Sequence, residues 1–175
     1  GYPATGRPDT AQSNRADPAM VERMTNPEFD TDNRFGGFVS ERARQRLVES
    51  LRDKGITSEP VLAAMSSVAR HEFVEEALKS RAYEDTALPI GYHQTISQPY
   101  VVALMTEILM AGRSRVTRVL EIGAGSGFQT AVLARLSSRV FSVERVGALA
   151  DRAREHLQKL DIRNVSLRHG DGTHG

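Results

Sequence analysis

The sequence predicts an α/β fold built on a parallel sheet, because strand-like and helix-like patterns alternate through its last third. Short β-branched runs predict three strands, at 118–122, 139–143 and 164–168. Apolar residues at helical spacing predict a helix over about 127–136 and a second one over 147–160. Parallel strands joined by helices place their carboxyl ends at one edge of the sheet, where ligands bind. The side chains that follow the three strands are therefore the first candidates for a site.

A glycine-rich turn separates the first strand from the first of these helices. Gly123, Gly125 and Gly127 remove side chains where a ligand must come close to the backbone. The dinucleotide fingerprint requires its third glycine one position later, where Phe128 stands, so the NAD-type pattern fails. The G-x-G-x-G form after Glu121 instead resembles motif I of the S-adenosylmethionine (SAM) methyltransferases. A turn that is rich in glycine for purely local reasons is the alternative.

Acidic residues follow the second and third predicted strands. Glu144 ends the second strand, 21 residues after Gly123, which is close to the spacing at which a carboxylate reaches a ribose diol. Asp171 follows the third strand, where it could accept a hydrogen bond from an adenine amino group. The alternatives are a solvated acid at a strand end and an ordinary turn aspartate.

Composition sets limits on the class of protein. The 175 residues are 39% hydrophobic and 26% charged, which suits one α/β domain with appendages. A formal net charge of +1 argues against a dedicated nucleic-acid surface, and no run suits a membrane span or signal peptide. The absence of cysteine excludes disulfides and thiolate chemistry, and the five histidines lack i, i+4 pairing, so no metal site is predicted. We expect a cytoplasmic protein without nucleic-acid or membrane partners.

Three regions are expected along the chain. Residues 1–34 are polar and predict a mobile extension, since they cannot bury enough apolar surface. Residues 35–112 predict a helical region that contains an extended loop over 87–99, and residues 113–175 form the α/β core. The helices of the middle region are expected from Ser40, from Ser58, over Glu72–Lys79 and from Pro99. The last of these has an apolar stripe of Val101, Leu104, Met105, Ile108 and Leu109.

Three segments together resemble one family, the protein-L-isoaspartate O-methyltransferases, over roughly residues 38–175. The segments are Arg81-Ala-Tyr-Glu-Asp-Thr-Ala-Leu-Pro-Ile-Gly91, Gln94-Thr-Ile-Ser-Gln-Pro-Tyr100 and the glycine turn through Gln129. The resemblance implies a Rossmann-like class I SAM-dependent methyltransferase fold with an N-terminal helical subdomain. It also implies methyl transfer from SAM, leaving S-adenosyl-L-homocysteine, to the side carboxylate of L-isoaspartyl residues in damaged proteins. Some members of the family accept D-aspartyl residues as well.

The same resemblance assigns roles to individual residues. Ser97 matches the active-site serine, and Gln94, Thr95 and Ile96 belong to the substrate loop. We expect the Ser97 hydroxyl to orient the substrate carboxylate at a helix N-terminus, the alternative being a serine that caps that helix. The SAM-contacting positions are Gly123, Gly125, Glu144 and Asp171, with Gly127 in the same turn. Glu121 is expected to hold the glycine turn or, through water, the methionyl ammonium, unless local N–H groups satisfy it.

The sequence also departs from the family pattern. His93 stands where the family usually has glycine, and Phe128 stands where it commonly has tyrosine. The sequence stops at Gly175, where the family continues through the rest of its sheet, so we expect a sheet truncated after its third strand. Val119, Leu120 and Ile122 would then lie on an open apolar edge, which could pair with another copy of the chain or leave the core partly unformed. A methyltransferase with another carboxylate acceptor and a SAM-binding fragment without turnover are the competing hypotheses.

Overall fold

The computed structural model describes the chain from residue 31 to residue 174, and its side chains from residue 41 to residue 173. The extension predicted over residues 1–34 lies outside the described residues, except for its last four residues. Those four form the first turn of helix α1, which spans Thr31–Asp53 and so begins earlier than the helix predicted from Ser40. Within the described residues, no helix is both long enough and apolar enough to cross a bilayer.

The helical region contains one more α-helix before the chain turns irregular. Helix α2 spans Glu59–Ser67 and begins after Ser58 with a proline in its first turn, as predicted. The helix predicted over Glu72–Lys79 is wrong, because the chain forms two 3₁₀ helices, Arg70–Phe73 and Glu76–Arg81. Val74 and Glu75 have extended backbone angles between them and interrupt the helical hydrogen bonds. Phe73 and Val74 are buried as expected, whereas Ala77 is exposed.

A β-hairpin replaces the extended loop that was predicted over 87–99. Strand β1, Leu88–Gly91, pairs antiparallel with strand β2, Gln94–Ile96. Tyr92 and His93 form the turn, and both have positive φ (53° and 54°), which is the geometry of a type I′ turn. The sequence lacks the Asn-Gly or Asp-Gly pair that marks such turns, so this hairpin escaped prediction.

Helix α3 spans Pro99–Met110 and begins at the proline, as predicted. The apolar stripe predicted for this helix does not face the core. Three of its residues, Met105, Ile108 and Leu109, are 45–69% exposed. The opposite face, which includes Val102, Ala103, Thr106 and Met110, is buried. Both faces are largely apolar, so periodicity alone could not decide which one packs.

The C-terminal part is a three-stranded parallel sheet with helical crossovers, which confirms the predicted α/β fold. The elements are β3 (Val116–Ile122), α4 (Phe128–Leu136), β4 (Ser137–Glu144), α5 (Gly147–Lys159) and β5 (Val165–His169). The spatial order is β3-β4-β5, so β4 lies between the strands that precede and follow it. The register pairs Ile122 with Val143 and Glu144 with His169, which brings the three strand ends to one edge.

One face of β3 is buried and the other is open. Among the described residues β3 pairs with β4 alone, so the strand lies at an open edge as expected, but the side chain of Val119 (6% exposed) points to the buried face, where it packs with Leu133 and Val140. Leu120 and Ile122 point the other way and are 67% and 59% exposed, as expected. Alternate residues of a strand face opposite sides of the sheet, which is why the three residues divide in this way.

Candidate cofactor and substrate site

The glycine turn at the end of β3 has a backbone that side chains would disfavour. Gly123, Gly125 and Gly127 all have positive φ (91°, 57° and 93°). A Cβ added at Gly127 would lie 3.3 Å from the Cβ of Ala153, so helix α5 packs directly on the turn. One added at Gly125 would lie 3.4 Å from Cδ1 of Ile90, so the hairpin packs on it from the other side. The glycines thus serve both conformation and close packing.

Glu144, at the end of β4, holds this turn. Its Oε2 accepts a hydrogen bond from the Gly125 N–H at 2.8 Å, and its Oε1 accepts one from the Val146 N–H at 2.8 Å. The residue is 6% exposed, and both hydrogen bonds are partly buried. A carboxylate that receives two backbone N–H groups is fixed in orientation. Its remaining lone pairs are the ones that could meet a ligand hydroxyl.

Glu121 does not hold the glycine turn; Glu144 does. The Oε2 atom of Glu121 accepts hydrogen bonds from the hydroxyls of Thr130 (2.5 Å) and Ser142 (2.6 Å), so hydroxyls rather than N–H groups satisfy it. Its Oε1 is buried and has no hydrogen-bond partner among the described residues. Burial raises the pKa of the Glu121 carboxyl, the Glu144 carboxylate adds to that rise, and the two hydroxyl groups oppose it.

Ser97 lies exposed between β2 and α3, and it is not the cap of that helix. The N-cap position belongs to Gln98, whose side chain makes no capping bond. The anion position at the start of α3 is taken by Asp85, whose Oδ1 accepts from the Tyr100 N–H at 2.8 Å. The expectation that this helix terminus receives the substrate carboxylate therefore needs correction, because the protein's own carboxylate already lies there.

The predicted residues otherwise converge on one cleft. A cavity of about 480 Å³ is lined by Gln94, Thr95, Ser97, Gly123, Gly125, Glu144 and Asp171, together with His93 and Arg145. Ser97, Gly123 and Glu121 also line an adjoining cavity of about 310 Å³. Gly127 lies outside both cavities and acts through packing. Ile96 is 4% exposed, so it anchors the hairpin in the core rather than presenting its side chain to a substrate.

Asp171 reaches the cleft from the loop after β5. Its Oδ1 accepts from the backbone N–H (3.0 Å) and the hydroxyl (2.8 Å) of Thr173, which hold the pKa of Asp171 below its ordinary value. A Cβ added at Gly172 would lie 2.5 Å from Cγ2 of Ile122, so this loop closes onto the end of β3. Asp171, Glu144 and the glycine turn thus lie on the same side of the molecule.

Two residues of α5 support the site, and neither was predicted. Nη1 of Arg152 donates to the carbonyl of Ile90 at 2.8 Å, which ties the hairpin to the sheet region. Nδ1 of His156 lies 2.9 Å from the carbonyl of Ser126 in the glycine turn. Each contact joins segments far apart in sequence, and each donor is one polar residue among several on an amphipathic helix. No local pattern in the sequence distinguishes them.

The fold and this cleft together indicate the class of protein. A parallel sheet whose successive strands end in a glycine turn, a glutamate and an aspartate around one cavity is the arrangement of a Rossmann-like methyltransferase core. Residues 41–175 match the model of the family "Protein-L-isoaspartate(D-aspartate) O-methyltransferase (PCMT)". The chain belongs to that family.

Individual relatives agree with this membership. The chain is 56% identical over 139 residues to a protein-L-isoaspartate O-methyltransferase of Dechloromonas aromatica, covering 79% of this chain and 64% of that protein. It is 59% identical to one of Halorhodospira halophila, covering 79% of this chain and 63% of the relative. The chain thus spans less than two thirds of the length of these curated relatives.

Two solved structures resemble the fold. One is a protein-L-isoaspartate O-methyltransferase with a TM-score of 0.66 and 33% identity, covering 74% of this chain and 42% of that one. The other is described as a putative protein-L-isoaspartate O-methyltransferase from Plasmodium falciparum in complex with S-adenosyl-L-homocysteine. Its TM-score is 0.61 at 28% identity, covering 73% of this chain and 62% of that one.

Proposed function

We propose that the protein transfers a methyl group from SAM to the side carboxylate of L-isoaspartyl residues in damaged proteins. The observation that carries this proposal is the shared cleft, in which Ser97 of the hairpin segment faces the same cavity as Gly123, Glu144 and Asp171. Family membership and the relatives' names support the same activity. D-aspartyl residues are a second acceptor class within the family's description.

The residues of the cleft suit SAM. The volume of about 480 Å³ falls in the range of small-molecule sites, and the glycine turn leaves room for close approach of a ligand. Glu144 and Asp171 offer carboxylate acceptors of the kind that ribose hydroxyls and an adenine amino group require. Glu121, whose buried Oε1 has no hydrogen-bond partner among the described residues, is the acceptor assigned to the methionyl ammonium through a water molecule. When bound, SAM supplies an electrophilic methyl group on a sulfonium.

The acceptor chemistry needs little from the protein besides alignment. A free carboxyl has a pKa of about 3.9, so it is already an anionic nucleophile at neutral pH and requires no general base. In-line displacement requires the carboxylate oxygen, the methyl carbon and the sulfur to be collinear. We assign to Ser97 a hydrogen bond from its hydroxyl to the substrate carboxylate within the cavity. Gln94 and Thr95, which are exposed on the hairpin and line the cavity, are assigned to the loop that receives the substrate peptide.

A pair of peptides tests the proposal. One carries an isoaspartyl residue and the other an aspartyl residue at the same position, and the full-length protein is given radiolabelled SAM with each. Methyl transfer to the isoaspartyl peptide alone is the expected result. Equal labelling of both peptides would point to a methyltransferase with a broader carboxylate acceptor. Calorimetric binding of SAM without any transfer would point to a SAM-binding protein without turnover.

The unpaired edge of strand β3 and its exposed apolar residues bear on whether the chain associates with itself. Among the described residues β3 pairs with β4 alone, and Leu120 and Ile122 expose large apolar side chains. Such an edge favours pairing with a further strand, and a second copy of the chain is the partner predicted from the sequence. Light scattering of the 175-residue chain should show concentration-dependent association that Leu120→Lys abolishes; a monomer at every concentration would contradict it. Cytoplasmic location and the absence of nucleic-acid partners remain predictions from composition.

A further inference from the structure

Asp85 connects three parts of the helical region behind Ser97. Its Oδ1 accepts from the Tyr100 N–H at 2.8 Å, and its Oδ2 accepts from Nε2 of Gln98 at 3.2 Å. The same Oδ2 pairs with the ammonium of Lys54, which directly follows helix α1. The Asp85 side chain is only 11% exposed, so these contacts lie in a partly desolvated setting.

These contacts fix the start of helix α3. The first N–H groups of a helix lack partners within it, and Pro99 has no N–H at all. Asp85 satisfies the Tyr100 N–H and at the same time binds the Gln98 side chain, so it holds the residues on both sides of Pro99. A carboxylate at a helix N-terminus also interacts favourably with the helix dipole.

Ser97 lies immediately before this clamped segment. On its other side Ile96 is buried in the core at 4% exposure, so Ser97 is a single exposed residue between two fixed points. Its position relative to Gly123, with which it shares the cleft, therefore depends on both anchors. Loss of the Asp85 anchor would release the chain that follows Ser97, while the Ile96 anchor would remain.

We propose that Asp85 is a positioning residue that holds Ser97 in place for methyl transfer. Asp85 lines a separate cavity beside α1, with Ala43, Leu47 and Tyr83, and it is not among the residues that line the cleft. It therefore acts through the Gln98 side chain and the Tyr100 backbone N–H rather than by touching cofactor or substrate. This inference rests on the function proposed above for the cleft.

The test compares Asp85→Ala with Glu84→Ala in the full-length protein. Glu84 is the neighbouring acid, is exposed and, among the described side chains, pairs locally with Arg81 at 3.0 Å, so it controls for charge removal in the same loop. Asp85→Ala should lower kcat/KM for the isoaspartyl peptide on the order of 10²-fold, because small misplacements of aligned groups have effects of that size. The dissociation constant of SAM should stay unchanged, and Glu84→Ala should match the wild type in both measurements.

Asp85→Asn and amide hydrogen exchange separate positioning from general destabilisation. The asparagine keeps an oxygen for the Tyr100 N–H but loses the charge, so its kcat/KM should fall between those of the wild type and Asp85→Ala. Exchange of the Tyr100 amide should accelerate in Asp85→Ala and not in Glu84→Ala. Wild-type transfer by Asp85→Ala would overturn the inference, as would parallel loss of SAM binding and transfer in both Asp85 variants. If the wild type fails to prefer isoaspartyl peptide, the proposed function fails, whereas the exchange difference at Tyr100 still reports whether Asp85 clamps the helix.

Discussion

The Glu144 carboxylate accepts a hydrogen bond from the Gly125 N–H at 2.8 Å, so the acid that ends β4 fixes the turn that ends β3. The glycine turn and Glu144, which the sequence predicts as separate cofactor contacts, are thus joined by a direct hydrogen bond. Because the second oxygen of Glu144 is bound to the Val146 N–H, the carboxylate also sets the start of α5. The cleft is organised before any ligand arrives, which lowers the entropic cost of binding.

Glu144→Gln should weaken SAM binding and destabilise the fold together. A glutamine can keep only one of the two backbone N–H bonds, because its amide nitrogen would face a second donor. Leaving a buried donor unsatisfied costs about 1–3 kcal/mol, and we expect losses of that size in the free energy of unfolding. Calorimetry with SAM and urea unfolding measure the two effects. Glu155→Gln, an exposed acid on α5, is the matched control; equal behaviour of the two variants would contradict the role of Glu144.

Gly123→Ala and Gly127→Ala should separate ligand binding from packing. Both positions have positive φ, at 91° and 93°, so a conformational cost of about 1–2 kcal/mol is expected at each. The new methyl at Gly127 meets Ala153 at 3.3 Å, whereas that at Gly123 has no atom within 4 Å. Gly127→Ala should therefore be the less stable protein, and Gly123→Ala, whose methyl enters the cavity, should lose more SAM affinity. The reverse ranking in thermal unfolding would contradict the packing assignment.

Glu121→Gln should stabilise the ligand-free protein at neutral pH. Burial raises the pKa of this carboxyl above 4.5, so its protonated form is favoured in the folded state. Such a group contributes stability below the unfolded pKa, and the contribution is lost as pH rises through the folded value. The wild type should therefore lose stability relative to Glu121→Gln as the pH rises from about 4.5 through the raised folded-state pKa. Urea unfolding at a series of pH values measures the difference; a constant offset across that range would show that the carboxyl does not titrate in this way.

Much of the sheet and of the cleft could be predicted from the sequence, and the reasons are local. Strands β3 to β5 are short runs that contain β-branched and other apolar residues, and the glycines mark a turn that few other residues can form. The hairpin was missed because Tyr92 and His93 adopt left-handed angles without a glycine. The outward face of α3 and the bond from the Tyr100 N–H to Asp85 depend on which segments meet in the folded protein. Residue spacing in the sequence does not predict such contacts.

Arg152→Gln should loosen the hairpin while leaving the cofactor cleft intact. Nη1 of Arg152 donates to the Ile90 carbonyl at 2.8 Å, and Ile90 packs on Gly125, so the contact joins the Ser97 segment to the glycine turn. The shorter glutamine cannot span the same distance from α5. We expect faster amide exchange in the hairpin and a higher KM for the isoaspartyl peptide, with the SAM dissociation constant unchanged. Arg154→Gln is the control, since Arg154 pairs with Asp151 and donates to the Leu167 carbonyl of β5 at 3.3 Å, and neither contact involves the hairpin. A KM shared by both variants would mean that charge on α5, rather than the link to Ile90, sets peptide affinity.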